Sequence, residues 1–351
     1  MRCTEVDALF RLIGITMFDR FKKKYLNLSN KSRSIKPNFG GIYLEITDRC
    51  NMSCPMCITR NHREDPESSL LTMEEIVEKI FLPSKGLGVK MIAISGGEPT
   101  LSKNLICVLN QALLNELSIF LATNALHSDM DLYKRILMLL NSPRHAMNVS
   151  FDSVNKDEMH VIRGRDVYDK VLDNIRMIIK YKVDHKIQTD LQAAIILQEA
   201  NINSVHGTID FLLNLGFNRV VIQARHDYHN VCKDNLQNQV TRRYSPEVIR
   251  RFMELSSELF DRSLQDGRIR VNGESKENWI LFYNDPLKIA GPCKGTNMIY
   301  VDAYGNLRGC ISGATLGNIK SQDLTAFIHS REYREFVKFS KICKICIHGC
   351  S

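Results

Sequence analysis

No stretch of the sequence approaches the ~20 uninterrupted apolar residues of a membrane-spanning helix. The N-terminal run from Ala8 to Asp19 is broken by Arg11 and lacks a basic leader and a small-residue cleavage site, so it does not read as a signal peptide. Internal repeats and low-complexity tracts are missing too. Basic residues form no dense block beyond Lys22-Lys23-Lys24 and do not interleave with aromatics, so no nucleic-acid partner is expected. The excess of 47 Lys and Arg over 39 Asp and Glu, a formal +8, only mildly favours anionic partners. With no export signal, the 11 cysteines are placed in a reducing, cytoplasmic compartment. There, clustered cysteines read as metal ligands or catalytic thiols rather than disulfides.

What is present is an ordinary globular composition, 44% hydrophobic and 25% charged, over 351 residues. That length suits one barrel-like domain of ~200–250 residues with a small appendage. Short apolar runs at 42–47, 91–95, 118–122, 146–151, 189–196 and 219–223 read as strands alternating with helical segments, the pattern of parallel βα units. Thr72-Met73-Glu74-Glu75 is a capping box for one helix. Val167, Val171, Ile175 and Ile178 form one face of another, and Ser245-Pro246 opens a third with Val248, Phe252, Leu255 and Leu259 as its stripe. The expected fold is α/β, a partial (βα)6 TIM-like barrel over 41–267, with a small cysteine-rich C-terminal domain over 268–351. Residues 1–40 read as a basic amphipathic helical extension. Leu9, Ile13, Met17 and Phe21 at helical spacing pack it on the barrel, with a membrane-surface helix as the alternative.

The chemistry-bearing segment is Cys50-Asn51-Met52-Ser53-Cys54-Pro55-Met56-Cys57, immediately after the first strand. In a parallel sheet the loops at the C-terminal strand ends hold ligands. Three thiolates in this spacing can hold a four-iron cluster and leave one iron open for chemistry. On the residues alone, a zinc knuckle or a Cys54/Cys57 redox pair stays open.

Further motifs sit at the same strand ends: Ser95-Gly96-Gly97-Glu98-Pro99, Thr123-Asn124, Val149-Ser150-Phe151-Asp152 and, downstream, His160-Val161-Ile162-Arg163-Gly164. Together with the C-x3-C-x2-C triad they resemble the radical S-adenosylmethionine (radical SAM) superfamily. The resemblance implies that Cys50, Cys54 and Cys57 carry a 4Fe-4S cluster that chelates S-adenosylmethionine. It implies cofactor contacts from Gly96, Gly97, Glu98, Pro99, Asn124, Ser150, Asp152 and Arg163. Arg163 is then a counter-charge for the methionine carboxylate, and Met56 replaces the aromatic residue often found before the third cysteine. The glycines are read as sites where backbone closely approaches the ligand.

A second group, Cys293, Cys310, Cys343, Cys346 and Cys350, offers one more thiolate than a fully ligated four-iron cluster uses. It resembles the SPASM and Twitch subgroups, implying one auxiliary 4Fe-4S cluster on Cys293, Cys310, Cys343 and Cys346, with Cys350 a substitute ligand. A structural zinc site is the alternative. The implied activity is reductive cleavage of S-adenosylmethionine to a 5′-deoxyadenosyl radical, followed by hydrogen abstraction from a peptide or small molecule in an oxidation or bond-forming modification. A flavodoxin or ferredoxin is the expected electron donor. The reading from a different class is a non-enzymatic zinc or iron-sulfur protein serving electron transfer or nucleic-acid binding.

Overall fold

The computed structural model describes residues 40–57, 70–225, 244–273, 275–285, 288–289, 297–311 and 313–340. The sequence readings for residues 1–39, the 226–243 loop, Cys293, Cys343, Cys346 and Cys350 fall outside this set.

In chain order the elements are β1 (Gly41–Glu45), α1 (Met73–Ile76), α2 (Leu82–Leu87), β2 (Met91–Ser95), α3 (Leu105–Leu114), β3 (Ser118–Thr123), α4 (Met130–Leu139) and β4 (Ala146–Ser150). They continue with α5 (Lys156–Arg163), α6 (Tyr168–Asp184), β5 (Asp190–Leu197), α7 (Val205–Leu215), β6 (Arg219–Ala224), α8 (Pro246–Gln265), β7 (Ile269–Val271) and α9 (Lys276–Asn284). The C-terminal part adds β8 (Met298–Val301), β9 (Asn306–Arg308), β10 (Gly317–Asn318), α10 (Leu324–Ile328) and α11 (Arg331–Ser340). A five-residue π-helical turn, Val77–Phe81, joins α1 to α2.

The local signals act as their chemistry dictates. Thr72 Oγ1 accepts the Glu75 N–H while the Glu75 side chain accepts the Thr72 N–H, so the capping box starts α1. Ser245 accepts the Val248 N–H with Pro246 in the first turn, so α8 begins where the sequence predicts. Val167 stands at the N-cap of α6 rather than inside it.

All the strands form one sheet in the order β10-β9-β8-β1-β2-β3-β4-β5-β6-β7. The pairs from β8 through β1 to β7 are parallel, and β8-β9 and β9-β10 are antiparallel. The six predicted strands are therefore flanked by two more. β7 lies past the expected boundary at residue 268 yet pairs with β6, and β8 pairs with β1, so the sheet runs across that boundary. β7 and β8 are opposite ends of the parallel run, which leaves the barrel open along that seam.

The core lies between the outer face of the sheet and the helices. Ile42, Leu44, Ile92, Ile94, Leu121, Met147 and Val149 have no exposure and join Val108, Ile136 and Ile175 from the helices. Cys107 on α3 is half-buried and lies outside this core. Trp279 of α9 is fully buried, donates to the Asn272 carbonyl at 2.9 Å and meets Phe260 of α8 edge-on. Among the described residues no helix is long and apolar enough to cross a membrane.

Because its ring fills the space between α8, α9 and the β7 end, Trp279→Ala should cost about 3–5 kcal/mol of stability. Leu264→Ala, at an exposed position on α8, should change it by less than ~0.5 kcal/mol. Urea unfolding checks both values, and equal losses would contradict this packing.

Candidate active site

The loop after β1 carries Cys50, Cys54 and Cys57 at the C-terminal edge of the sheet, and three neighbours hold it. From β2, the Gly97 N–H donates to the Thr47 carbonyl at 2.8 Å and the Glu98 N–H to the Arg49 carbonyl at 2.6 Å. From β3, Asn124 Nδ2 donates to Asn51 Oδ1 at 2.7 Å and lies 3.9 Å from Cys50 Sγ. From the end of α5, the Arg163 carbonyl accepts the Ser53 N–H at 3.2 Å, and Arg165 donates to the Asn51 carbonyl at 2.6 Å. Met52, 1% exposed, pins the loop into the core.

The two glycines of the β2 turn permit this contact. Gly96 has φ +139°, and a Cβ there stands 2.3 Å from the Thr47 carbonyl oxygen. A Cβ on Gly97 stands 2.1 Å from the Arg49 carbonyl oxygen. Both separations are far inside van der Waals contact, so a side chain at either position displaces the cysteine loop itself. Gly164 does the same from α5, with φ +68° and a Cβ position 2.4 Å from the Ser53 carbonyl oxygen.

Glu98 is buried behind the loop and its carboxylate is committed to the protein. Oε1 accepts from Thr100 Oγ1 and Thr123 Oγ1 at 2.7 Å each and from the Thr100 N–H at 3.1 Å, and Oε2 accepts the Asn124 N–H at 2.7 Å. Burial nonetheless pushes its pKa up. These four donors hold the carboxylate in place and fix Asn124 against the cysteine loop. Pro99 is buried in the short turn Pro99–Leu101 that Glu98 caps.

Asp152 and Arg163 are likewise turned inward. They are buried and form an ion pair with each other. Asp152 Oδ1 also accepts the Ile196 N–H at 2.8 Å, and Arg163 hydrogen-bonds Cys54. Burial pushes the Cys54 thiol up, and the Arg163 guanidinium acts against it. Arg163 thus stands as a counter-charge beside a cysteine. Asp152 reaches the site only through it. Ser150 and Met56 are half-buried, Ser150 paired in register with Ala194 and Met56 packed on the core beside the loop.

Three cysteines in C-x3-C-x2-C spacing on one clamped loop can hold a four-iron cluster, each thiolate taking its own iron. Cys310 lies half-buried in the turn after β9. A Cβ on the preceding Gly309 stands 2.1 Å from the Phe336 ring of α11, so that turn is pressed on the helix.

The sequence motifs contain Asn51 and Gly164 without showing that they hold the loop, and they miss Arg165. The Gly after Arg163 was the available signal, since a glycine at a helix C-terminus marks a left-handed cap. The motifs also miss Tyr304, whose hydroxyl donates to Asp48 at 2.7 Å and ties the turn after β8 to the cysteine loop.

A parallel, open barrel with a thiol-bearing loop at its C-terminal edge defines an α/β iron-sulfur enzyme scaffold. The sequence pattern of the Radical SAM superfamily matches residues 44–212, and that of an iron-sulfur cluster-binding domain, SPASM, matches 293–350. The chain belongs to the radical SAM superfamily, with a SPASM-type C-terminal region. Its cofactors are accordingly S-adenosylmethionine, the 4Fe-4S cluster that binds it, and an auxiliary cluster. The GTP 3′,8-cyclase of Campylobacter fetus subsp. fetus is 27% identical over 64% of this chain and 69% of its own. That of Clostridium perfringens strain SM101 is 23% identical over 85% and 88%. Among solved structures, Streptococcus suis SuiB bound to its precursor peptide SuiA matches with TM-score 0.66 and 16% identity, covering 89% of this chain and 72% of SuiB. The protein anSMEcpe with bound AdoMet matches with TM-score 0.60 and 18% identity, covering 86% and 84%. At such identities the two structures establish the fold.

Gly97→Ala should lower the iron content by about one four-iron cluster and weaken S-adenosylmethionine binding together, since the added Cβ pushes the Arg49 carbonyl and the loop behind it. Iron assay with cofactor titration reads both. Weakened binding at full iron content would show that the turn acts on the cofactor directly and not through the loop.

Proposed function

We propose that this chain performs an oxidation or bond-forming modification of a peptide or small molecule, begun by hydrogen abstraction. When bound, the cluster at Cys50, Cys54 and Cys57 supplies the electron that cleaves S-adenosylmethionine and so provides the abstracting radical. The observation that carries the reading is the three-sided clamp on the cysteine loop, from the Gly96-Gly97 turn, from Asn124 and from the end of α5.

Each residue then has a stated task. Arg163, held by Asp152, stabilises Cys54 as a thiolate in a buried setting. Glu98 fixes the β3 end so that Asn124 stays beside Cys50. The backbone of the Gly96-Gly97 turn, Ser150 and Met56 form the near side of the cofactor site. Cys293, Cys310, Cys343 and Cys346, with Cys350 in reserve, hold the auxiliary cluster, which serves to accept an electron or to bind substrate. A flavodoxin or ferredoxin supplies reducing equivalents.

The substrate has two candidate classes. The curated relatives favour a nucleotide cyclisation, because those of Campylobacter fetus and Clostridium perfringens are GTP 3′,8-cyclases. The structural likeness to SuiB with its bound precursor peptide supports a peptide. A non-enzymatic metal protein is the weaker reading, since it has no use for a parallel barrel in which the β2 and β3 ends and the end of α5 brace one cysteine loop.

Cys54→Ala should abolish 5′-deoxyadenosine formation under reducing, oxygen-free conditions, and full activity would show the triad assignment to be wrong. Cys310→Ala should still cleave S-adenosylmethionine with a strong chemical reductant but should form no modified product. Product at the wild-type rate would remove the auxiliary cluster from the reaction.

A further inference from the structure

The segment from Asn124 to His127 joins β3 to α4 and meets the cysteine loop with two groups. Asn124 Nδ2 donates to Asn51 Oδ1 at 2.7 Å, and the Leu126 carbonyl accepts from Asn51 Nδ2, so this segment holds Asn51 from both sides of its amide. The segment is also folded on itself. The Leu126 N–H donates to Asn124 Oδ1 at 2.8 Å and the Ala125 N–H to Thr123 Oγ1 at 3.1 Å. Between these two bonds Ala125, fully buried, has φ +56°, in the left-handed region that residues other than glycine enter only at a cost.

One side chain from outside the site secures that backbone. Asn174 stands on the core face of α6 with Val171, Leu172, Ile175 and Ile178 and has no exposure. Its Nδ2 donates to the Ala125 carbonyl at 2.8 Å and to the His127 carbonyl at 3.0 Å, which uses both amide hydrogens. The two carbonyls fix which way the amide faces, since turning it over would set oxygen against oxygen. Asn174 Oδ1 is then left buried with no hydrogen-bond partner.

A buried polar atom left unpaired works against stability, and an apolar residue here would continue the stripe of α6. Helix packing therefore does not account for an asparagine at 174. Its two hydrogen bonds do, because they fall on either side of Leu126 and close on the strained turn that carries Asn124.

We propose that Asn174 is a positioning residue of the cluster site: by holding Ala125 in its left-handed conformation from α6, it sets the Asn124 amide against Asn51 and Cys50. The inference rests on the assignment of Cys50, Cys54 and Cys57 as the ligands of the cleaving cluster. Asn124 Nδ2 lies 3.9 Å from Cys50 Sγ. A hydrogen bond to a ligating sulfur stabilises the more negatively charged, reduced cluster and so raises its reduction potential.

The test uses the full-chain holoenzyme purified without oxygen. Redox titration followed by electron paramagnetic resonance gives the midpoint potential of the cluster whose reduced spectrum responds to added S-adenosylmethionine. In Asn174→Leu that potential should move to more negative values at unchanged iron content, and the Ala125 and Leu126 amides should exchange hydrogen about tenfold faster, the loss of a buried hydrogen bond. Asn174→Ala, which adds no bulk, should shift the potential in the same direction, and it decides the matter if the leucine variant loses iron. Glycine holds a positive φ without help, so adding Ala125→Gly to Asn174→Leu should return the potential at least halfway to wild type. A role in packing alone would not be repaired by glycine. A wild-type potential in Asn174→Ala, or no recovery in the double variant, overturns the proposal. Iron content and S-adenosylmethionine cleavage of Cys54→Ala are assayed separately, so an error in the ligand assignment shows there, whereas the hydrogen exchange does not depend on it.

Discussion

The close approach of two backbones, residues 96–98 at the end of β2 and residues 47–49 after β1, is the contact on which the site depends. It leaves no space for a Cβ at Gly96 or Gly97, and it converts an eight-residue loop with three cysteines into part of the sheet's edge. A loop built mainly of polar and small residues cannot be held by apolar packing alone, and Met52 is its one fully buried apolar side chain. Backbone hydrogen bonds from neighbouring strand ends supply the rest. Cysteines that must bind a preassembled inorganic group gain from such fixing, because the loop need not be ordered when the group arrives.

Behind the loop stands a buried ionic layer. Asp152 and Arg163 are an ion pair in the low-dielectric interior, expensive to desolvate and therefore weak as a source of stability. Its use is directional: one guanidinium is held against Cys54 while the backbone of the same residue receives Ser53. On the other flank, Asp302 accepts from the Tyr304 and Asn306 N–H groups and from Arg308, shaping the turn between β8 and β9. Tyr304 then reaches Asp48, two residues before the first cysteine. With β8 paired to β1, the C-terminal region is hydrogen-bonded into the barrel at the point nearest the cysteine loop.

The strands were legible to within about two residues because fully buried parallel strands are continuous apolar runs, and the caps at Thr72 and Ser245 were legible because capping is local chemistry. The cysteine triad and the strand-end motifs were legible as motifs. The partners of their side chains were not. Nothing in Gly-Gly-Glu-Pro tells that the glutamate turns back to Thr100, Thr123 and Asn124, or that the glycines meet Thr47 and Arg49, since both contacts arise from strand order. β7 and β8 were hidden for a related reason: three- and four-residue strands lie below the length at which periodicity speaks, and their place at the two ends of the parallel run is purely tertiary.

The most direct test of the account is the metal content and reactivity of the wild-type protein purified without oxygen. The account predicts a brown protein absorbing near 400 nm that holds about eight irons, the sum of two four-iron clusters, and forms 5′-deoxyadenosine from S-adenosylmethionine on reduction. A colourless protein with stoichiometric zinc and no cleavage would contradict it.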